Sequence, residues 1–330
     1  MANIAIIGAG AVARTFTELI YSPESKDVED IKVKYIFNSS GGVYEKGGMK
    51  PFKNLAGHEK FTPGMSIKDI DVKEVDLVID LKSTDLENAE RDFNICADII
   101  KKGLHLVSGN KGPVVYRYKR LKALAKDNGV QFLCGCAAAA ALPSIIVGED
   151  AHAGSKIKAF EGIVNGTTNY IISKMEAGIP YEAALRLAQE EGIAEKNPAY
   201  DVEGIDTAIK TVMLANILWD MEMTVEDAEV KGIDKLTTED IEKAAKKGEK
   251  IKLIGKASLN DKGEVKINIA PAAIASNHLL YATDKKYKAI VFKSGNLGNI
   301  LISGASSLKG AAAAVLRDVV NIKNGLNKQA

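Results

Sequence analysis

Six residues near the start, Gly8-Ala-Gly10-Ala-Val-Ala13, constrain this chain more than any other stretch. An apolar run from Asn3 to Ile7, read as a buried strand, leads into them, and a helix predicted over residues 11–21 follows. In that context Gly8 permits the tight turn and Gly10 lets the backbone approach a pyrophosphate. Ala13 allows close packing of helix on sheet, and the amides at the helix start, Ala11 and Val12 among them, supply donors and a positive dipole. The six residues thus predict a dinucleotide site, against the plainer reading of a tight β–α turn.

The pattern then repeats. Apolar Ile31, Val33, Tyr35 and Phe37 alternate with Lys32 and Lys34, completing a β-α-β unit. Strand 75–81, helix 85–102 ending at Gly103, strand 104–107, helix 116–128 ending at Gly129 and strand 130–133 continue it. This alternation predicts an α/β fold with a doubly wound parallel sheet. Residues 39–60, rich in Gly and Lys without periodicity, read as a long mobile loop. A chain of 330 residues exceeds one ordinary core, so two domains are expected. Residues 1–137 form the nucleotide domain, 138–303 an α+β substrate, catalytic and dimerisation domain, and 304–330 a C-terminal helix open to either. The second domain carries predicted strands at 157–164, 251–258, 265–269, 288–293 and 299–303, with helices at 168–176, 181–190, 206–219 and about 239–247.

Composition narrows the partners. A net charge of +1 with 26% charged residues offers no bulk attraction to nucleic acid or anionic lipid. The first apolar run meets Gly8 too soon for a secretory leader, and Cys136 to Val147, broken by Pro143, is too short to cross a bilayer. A cytoplasmic protein without nucleic-acid or membrane partners is expected. Cys96, Cys134 and Cys136 fit neither a redox pair nor a zinc half-site, and His58, His105, His152 and His278 have no ligand spacing.

The second strand ends Phe37-Asn38-Ser39-Ser40, without the carboxylate that usually bonds a ribose 2′-hydroxyl. With Arg14 nearby and Lys46, Lys50 and Lys53 in the following loop, NADP is favoured over NAD, unless those lysines are merely solvated. Ser83, just beyond strand 75–81, either faces the cofactor or caps a helix.

Three segments carry candidate chemistry. Ser108-Gly109-Asn110-Lys111 lies at the carboxyl edge of the sheet, where open α/β folds bind ligands, so Lys111 points to the nicotinamide or stands in a surface turn. In Asn165-Gly166-Thr167-Thr168-Asn169, Thr167 or Thr168 is a natural N-cap, and the run could equally grip a carboxylate. The block from Glu195 through Asp201 and Asp206 to Lys210 feeds an acidic loop into an apolar helix. Asp206 and Lys210, four apart, would add about 0.2–0.5 kcal/mol as a surface pair. The face continues through Met213, Leu214 and Ile217, however, which turns the pair inward, where charges need a partner or a task.

These segments, with a closing small-residue turn before an Ala-rich helix, resemble the homoserine dehydrogenase family in the same order along nearly the whole chain. The resemblance implies a Rossmann-type enzyme interconverting L-homoserine and L-aspartate 4-semialdehyde with NAD(P). It implies that Lys111 and Lys210 flank the reacting carbon, that Glu195 and Asp201 hold the ammonium or hydroxyl end, that Asp206 lies beside Lys210, and that Thr167 meets the substrate. Gly8, Gly10, Ala11, Val12, Ala13, Asn38, Ser39, Ser83, Ser108 and Asn110 are the cofactor residues. It also implies a monovalent cation, Na+ or K+, on the backbone carbonyls of Ala138, Ala140 and Leu142, a homodimer, and no appended regulatory domain. The chain departs from the family at Ala137 to Ala141, where glycines are usual, at Gly135, where an acid is common, at Asn197, and at the turn Gly304 to Gly310. The competing readings are a dehydrogenase of a related amino acid or semialdehyde, and a dinucleotide-binding sensor without turnover.

Overall fold

The computed structural model describes residues 2–150, 152–305 and 307–329. The chain divides into two compact units, one of Met1–Ala141 with Ser307–Ala330, the other of Leu142–Ser306.

The first unit begins β1 (Ala2–Ile7), α1 (Ala11–Leu19), β2 (Ile31–Phe37), β3 (Gly41–Tyr44), β4 (Phe61–Pro63) and β5 (Leu77–Asp80). It continues α2 (Ala89–Lys101), β6 (His105–Ser108), α3 (Lys111–Asp127), β7 (Phe132–Leu133) and α4 (Gly135–Ala139). Its seven strands lie in the order β4-β3-β2-β1-β5-β6-β7. The five strands from β2 to β7 are parallel, and their register aligns Phe37, Ile7, Asp80 and Ser108 in one row at the carboxyl edge. Strand order reverses beside β1, which places the ligand-binding crevice of such sheets at that row.

Side-chain alternation in β1 shows why both faces are covered. Ile4 and Ile6 join one core with Ala13 and Phe16 of α1, whereas Ala5 and Ile7 join another with Phe93, Cys96 and Ile100 of α2 and Leu121 of α3. The chain's last helix, residues 308–329, returns to the first of these cores through Ala312, Val315, Val319 and Ile322.

Two local expectations are corrected. Residues 39–60 are not a structureless loop, because β3 pairs antiparallel with β2, matching Tyr35 to Tyr44 and Phe37 to Gly42. Asn38 closes the turn by accepting bonds from the amides of Ser40 (2.9 Å) and Gly41 (3.0 Å). The glycines that read as a loop let β3 lie against the Phe37 ring. Helix α3 starts at Lys111 rather than near Tyr116. Pro113 falls in its first turn, where no amide hydrogen is needed, and a kink at Arg117 (φ −156°) separates this start from the regular helix.

The second unit comprises α5 (Ser144–Glu149), β8 (Ile157–Ile163), α6 (Gly166–Glu176), α7 (Tyr181–Glu190), α8 (Ala199–Val202), α9 (Ile205–Trp219), β9 (Ala228–Val230), α10 (Thr238–Ala245), β10 (Lys250–Leu259), β11 (Val265–Ile274), β12 (Tyr287–Ser294) and β13 (Gly298–Ala305). The last helix, α11 (Leu308–Gln329), belongs to the first unit. Six strands form a sheet in the order β13-β12-β8-β10-β11-β9, antiparallel except for β11 with β9. Helix α9 is buried along almost its full length, with Ala208, Ile209, Val212 and Met213 fully covered. No helix among the described residues is long and apolar enough to cross a membrane.

Candidate active site

At the nucleotide end, Gly8 has φ +99°, and a Cβ there would lie 2.6 Å from the carbonyl carbon of Leu81. Only glycine fits both demands. A Cβ on Gly10 would meet nothing within 4 Å. Gly10 caps α1 without a side-chain bond, and no acid stands in the first turn. The helix therefore presents its free amides and positive end to open space, a cradle that suits the diphosphate of a dinucleotide.

The ribose end differs from the reading of the sequence. Ser39 is exposed, and Asn38 spends its side-chain oxygen on the β2–β3 turn. Because β3 runs back along β2, the lysines that follow leave the carboxyl edge: Gly48 packs beside Lys32, and the Lys50 ammonium sits 4.6 Å from the centre of the Tyr21 ring, beyond the far end of α1. Arg14 stays at the glycine turn, where its Nη1 donates to the carbonyl of Ala9 at 3.3 Å.

Ser83 lies exposed on the loop after β5. Ser108 and Asn110 point inward instead. Ser108 Oγ donates to the carbonyl of Asn110 at 2.9 Å, and Asn110 caps α3 by accepting from the amide of Gly112 at 3.0 Å. Lys111, half-buried, opens α3, and its amide donates to Thr84 Oγ1 at 3.3 Å. Ala138 lies within α4, Leu142 is buried, and Ala140, at φ +55°, takes a left-handed conformation that glycine adopts more readily.

In the second unit, β8 runs through Val164 into Asn165, whose extended backbone makes it the N-cap of α6. Asn165 Oδ1 accepts from the amide of Thr168 at 2.9 Å, so neither threonine is the cap. Thr167 Oγ1 donates instead to the carbonyl of Ile193 at 3.1 Å. The Asn165 amide nitrogen donates to Asp201 Oδ1 (2.6 Å) and to Asp206 Oδ2 (2.9 Å), joining two carboxylates that would otherwise repel. Lys210 Nζ lies 2.5 Å from Asp206 Oδ2 and donates to the carbonyl of Val164 at 3.1 Å. With the Lys210 and Asp206 side chains 12% and 11% exposed, this i,i+4 pair is an interior one.

Burial pushes the Asp201 carboxyl above its usual range and Asp206 adds to the rise, while Asn165, Lys210 and Thr167 oppose it. Glu195 is exposed, and its backbone carbonyl rather than its carboxylate is engaged, by Gln189 Nε2 at 3.2 Å. The second unit thus gathers Asn165, Thr167, Asp201, Asp206 and Lys210 around the start of α6 and leaves the Glu195 side chain in solvent. The sequence reading missed Asn165 as the bridge. Its signal, an Asn directly after a strand with acids downstream, was present, but the cap was given to Thr167 or Thr168 and the run as a whole to a carboxylate.

The chain matches known proteins over both units. The family model described as homoserine dehydrogenase covers residues 143–320, and the one described as homoserine dehydrogenase, NAD binding domain, covers residues 8–134. A homoserine dehydrogenase of Methanocaldococcus jannaschii is 33% identical over 99% of this chain and 100% of its own length. An NAD(+)-dependent homoserine dehydrogenase of Pseudomonas canavaninivorans is 30% identical over 99% of this chain and 97% of its own. A crystal structure of a provisionally assigned homoserine dehydrogenase from Archaeoglobus fulgidus superposes with a TM-score of 0.86 at 31% identity, covering 98% of this chain and 99% of that one. A nucleotide cradle at the head of α1, an interior lysine held by an aspartate on α9, and end-to-end similarity therefore agree, and the chain belongs to the homoserine dehydrogenase family.

Proposed function

We propose that this NAD(P)-dependent homoserine dehydrogenase uses NADP in preference to NAD, and that Lys111 and Lys210 are its catalytic amines. The observation that carries the second assignment is the Lys210 ammonium on the inward face of α9, fixed by Asp206 and by the carbonyl of Val164. Gly8, Gly10 and the first amides of α1 would hold the cofactor, whose chemistry when bound would be to supply or accept the hydride. The protein must then stabilise charge and move one proton. In reduction of the semialdehyde, negative charge grows on the aldehyde oxygen, and a nearby ammonium stabilises it and donates the proton. In oxidation of homoserine, a neutral amine takes the hydroxyl proton. Asp206 holds the Lys210 Nζ in place for either direction. Glu195 and Asp201 are assigned to the substrate's ammonium or hydroxyl end, and Thr167 to the substrate.

NADP preference is supported by the absence of a carboxylate at Asn38-Ser39-Ser40 and by Arg14 at the glycine turn. We further assign a cytoplasmic homodimer, and Na+ or K+ on the carbonyls of Ala138, Ala140 and Leu142. Steady-state kinetics of wild type, Lys111→Ala and Lys210→Ala with each dinucleotide test the reading. Each variant is expected to lose about 10²–10⁴-fold in kcat, and wild type to show the higher kcat/KM with NADP. Wild-type rates in both variants would refute the catalytic assignment.

A further inference from the structure

The carboxyl edge of the first sheet carries a buried polar cluster that neither the glycine turn nor the lysines explain. Asp80, the last residue of β5, is fully buried, as is Asn110, and Asp92 of α2 is 1% exposed. The Asn110 amide nitrogen donates to Asp80 Oδ2 at 3.3 Å and to Asp92 Oδ2 at 2.8 Å. Asp80 Oδ1 accepts from the amide of Lys82 at 3.1 Å, and Lys82 Nζ donates to Asp92 Oδ1 at 2.8 Å. Burial raises the Asp80 carboxyl. It also acts on Asp92, where the bonds from Lys82 and Asn110 outweigh it and hold that carboxyl low.

Two buried acids around one lysine are a poor source of stability, since desolvation offsets most of their attraction. They do dictate geometry. An ionised carboxylate can only accept, so Asp92, whose carboxyl is held low, fixes which end of the Asn110 amide is nitrogen, and Asp80 Oδ2 accepts from the same nitrogen. The oxygen end must then face the amide of Gly112, which sets the first turn of α3 and with it the backbone of Lys111. Asp80 acts on Lys111 from a second side as well. By holding Lys82 it anchors the loop that presents Thr84, whose hydroxyl accepts from the Lys111 amide.

We propose that Asp80, with Asp92, is a positioning residue: it orients Asn110 and the Thr84 loop so that the Lys111 side chain leaves the sheet edge in one direction. The inference rests on Lys111 being catalytic, and the test separates the two. Asp80→Asn keeps shape but replaces a carboxyl that accepts from both Lys82 and Asn110 with an amide that can turn either way. Its kcat is expected to fall about ten- to a hundredfold.

The deciding measurement is a double-mutant cycle of Asp80→Asn with Lys111→Ala, on protein confirmed as folded by circular dichroism. If Asp80 acts through Lys111, the second substitution leaves nothing for the first to remove, and the double variant matches Lys111→Ala within about twofold. Additive losses would overturn the proposal, since a merely structural role lowers both backgrounds alike. So would an unchanged kcat in Asp80→Asn while Lys111→Ala is impaired. A wild-type rate in Lys111→Ala would overturn the catalytic reading instead. Should Asp80→Asn fail to fold, Asp92→Asn enters the same cycle, because its carboxylate bonds the same amide.

Discussion

Asp318 gives the sharpest stability prediction. It lies on α11 with its side chain 4% exposed, and its Oδ2 accepts from the amide of Gly135 at 2.8 Å. Burial pushes this carboxyl up to about 6 from an ordinary 3.8, against the opposing pull of Arg317 and the amides of Gly135 and Cys136. The folded state thus keeps its proton over a range in which the unfolded chain has released it. This group's contribution is most favourable below about pH 4, declines as pH rises from 4 to 6, and is flat above. A rise of some two units corresponds to about 3 kcal/mol at 1.36 kcal/mol per unit. Asp318→Asn abolishes the titration and keeps an acceptor for Gly135. Chemical denaturation of both proteins by far-UV circular dichroism, from pH 4 to 7.5, should show wild type losing up to about 3 kcal/mol relative to the variant. Other titrating groups are common to both and cancel. A difference that stays constant with pH, or that grows in favour of wild type, would refute the reasoning.

Gly8→Ala combines φ +99° with a Cβ 2.6 Å from the Leu81 backbone. It should lower the melting temperature and abolish dinucleotide binding, whereas Gly10→Ala, at φ −74° and facing open space, should melt like wild type and only weaken binding in a fluorescence titration. Ala140→Gly relieves a left-handed alanine and should stabilise the protein by about 1 kcal/mol in urea denaturation.

Where one residue type does one job locally, the sequence was readable. Met213, Leu214 and Ile217 correctly turned Asp206 and Lys210 inward, whereas the alternation of Ile31 to Phe37 gave β2 but not the register shift that carries Tyr35 and Phe37 to the face opposite Val33. The reading failed where spacing carries no signal. Gly41 and Gly42 read as loop because their fitness for β3 lies in contacts with Thr62 and Phe37. Helix α8 is a single turn, too short for periodicity, yet it leaves Asp201 half-buried while Glu195 is exposed. Asp80 was hidden at the end of an apolar strand, and its partners Asp92 and Asn110 stand 12 and 30 positions away, beyond any local pattern. Asn165 and Asp206 meet across 41 positions for the same reason.

The return of α11 to the first unit also sets an order of assembly. The second unit, 142–306, is in effect an insertion inside a nucleotide-binding fold whose two pieces are 1–141 and 307–330. As the chain leaves the ribosome, Ile4, Ile6 and Phe16 emerge before the second unit, yet Ala312, Val315, Val319 and Ile322, which seal their side of the sheet, emerge only after it. That apolar face stays open until α11 has been made, so the inserted unit has time to fold before the cradle at Gly8 acquires its support.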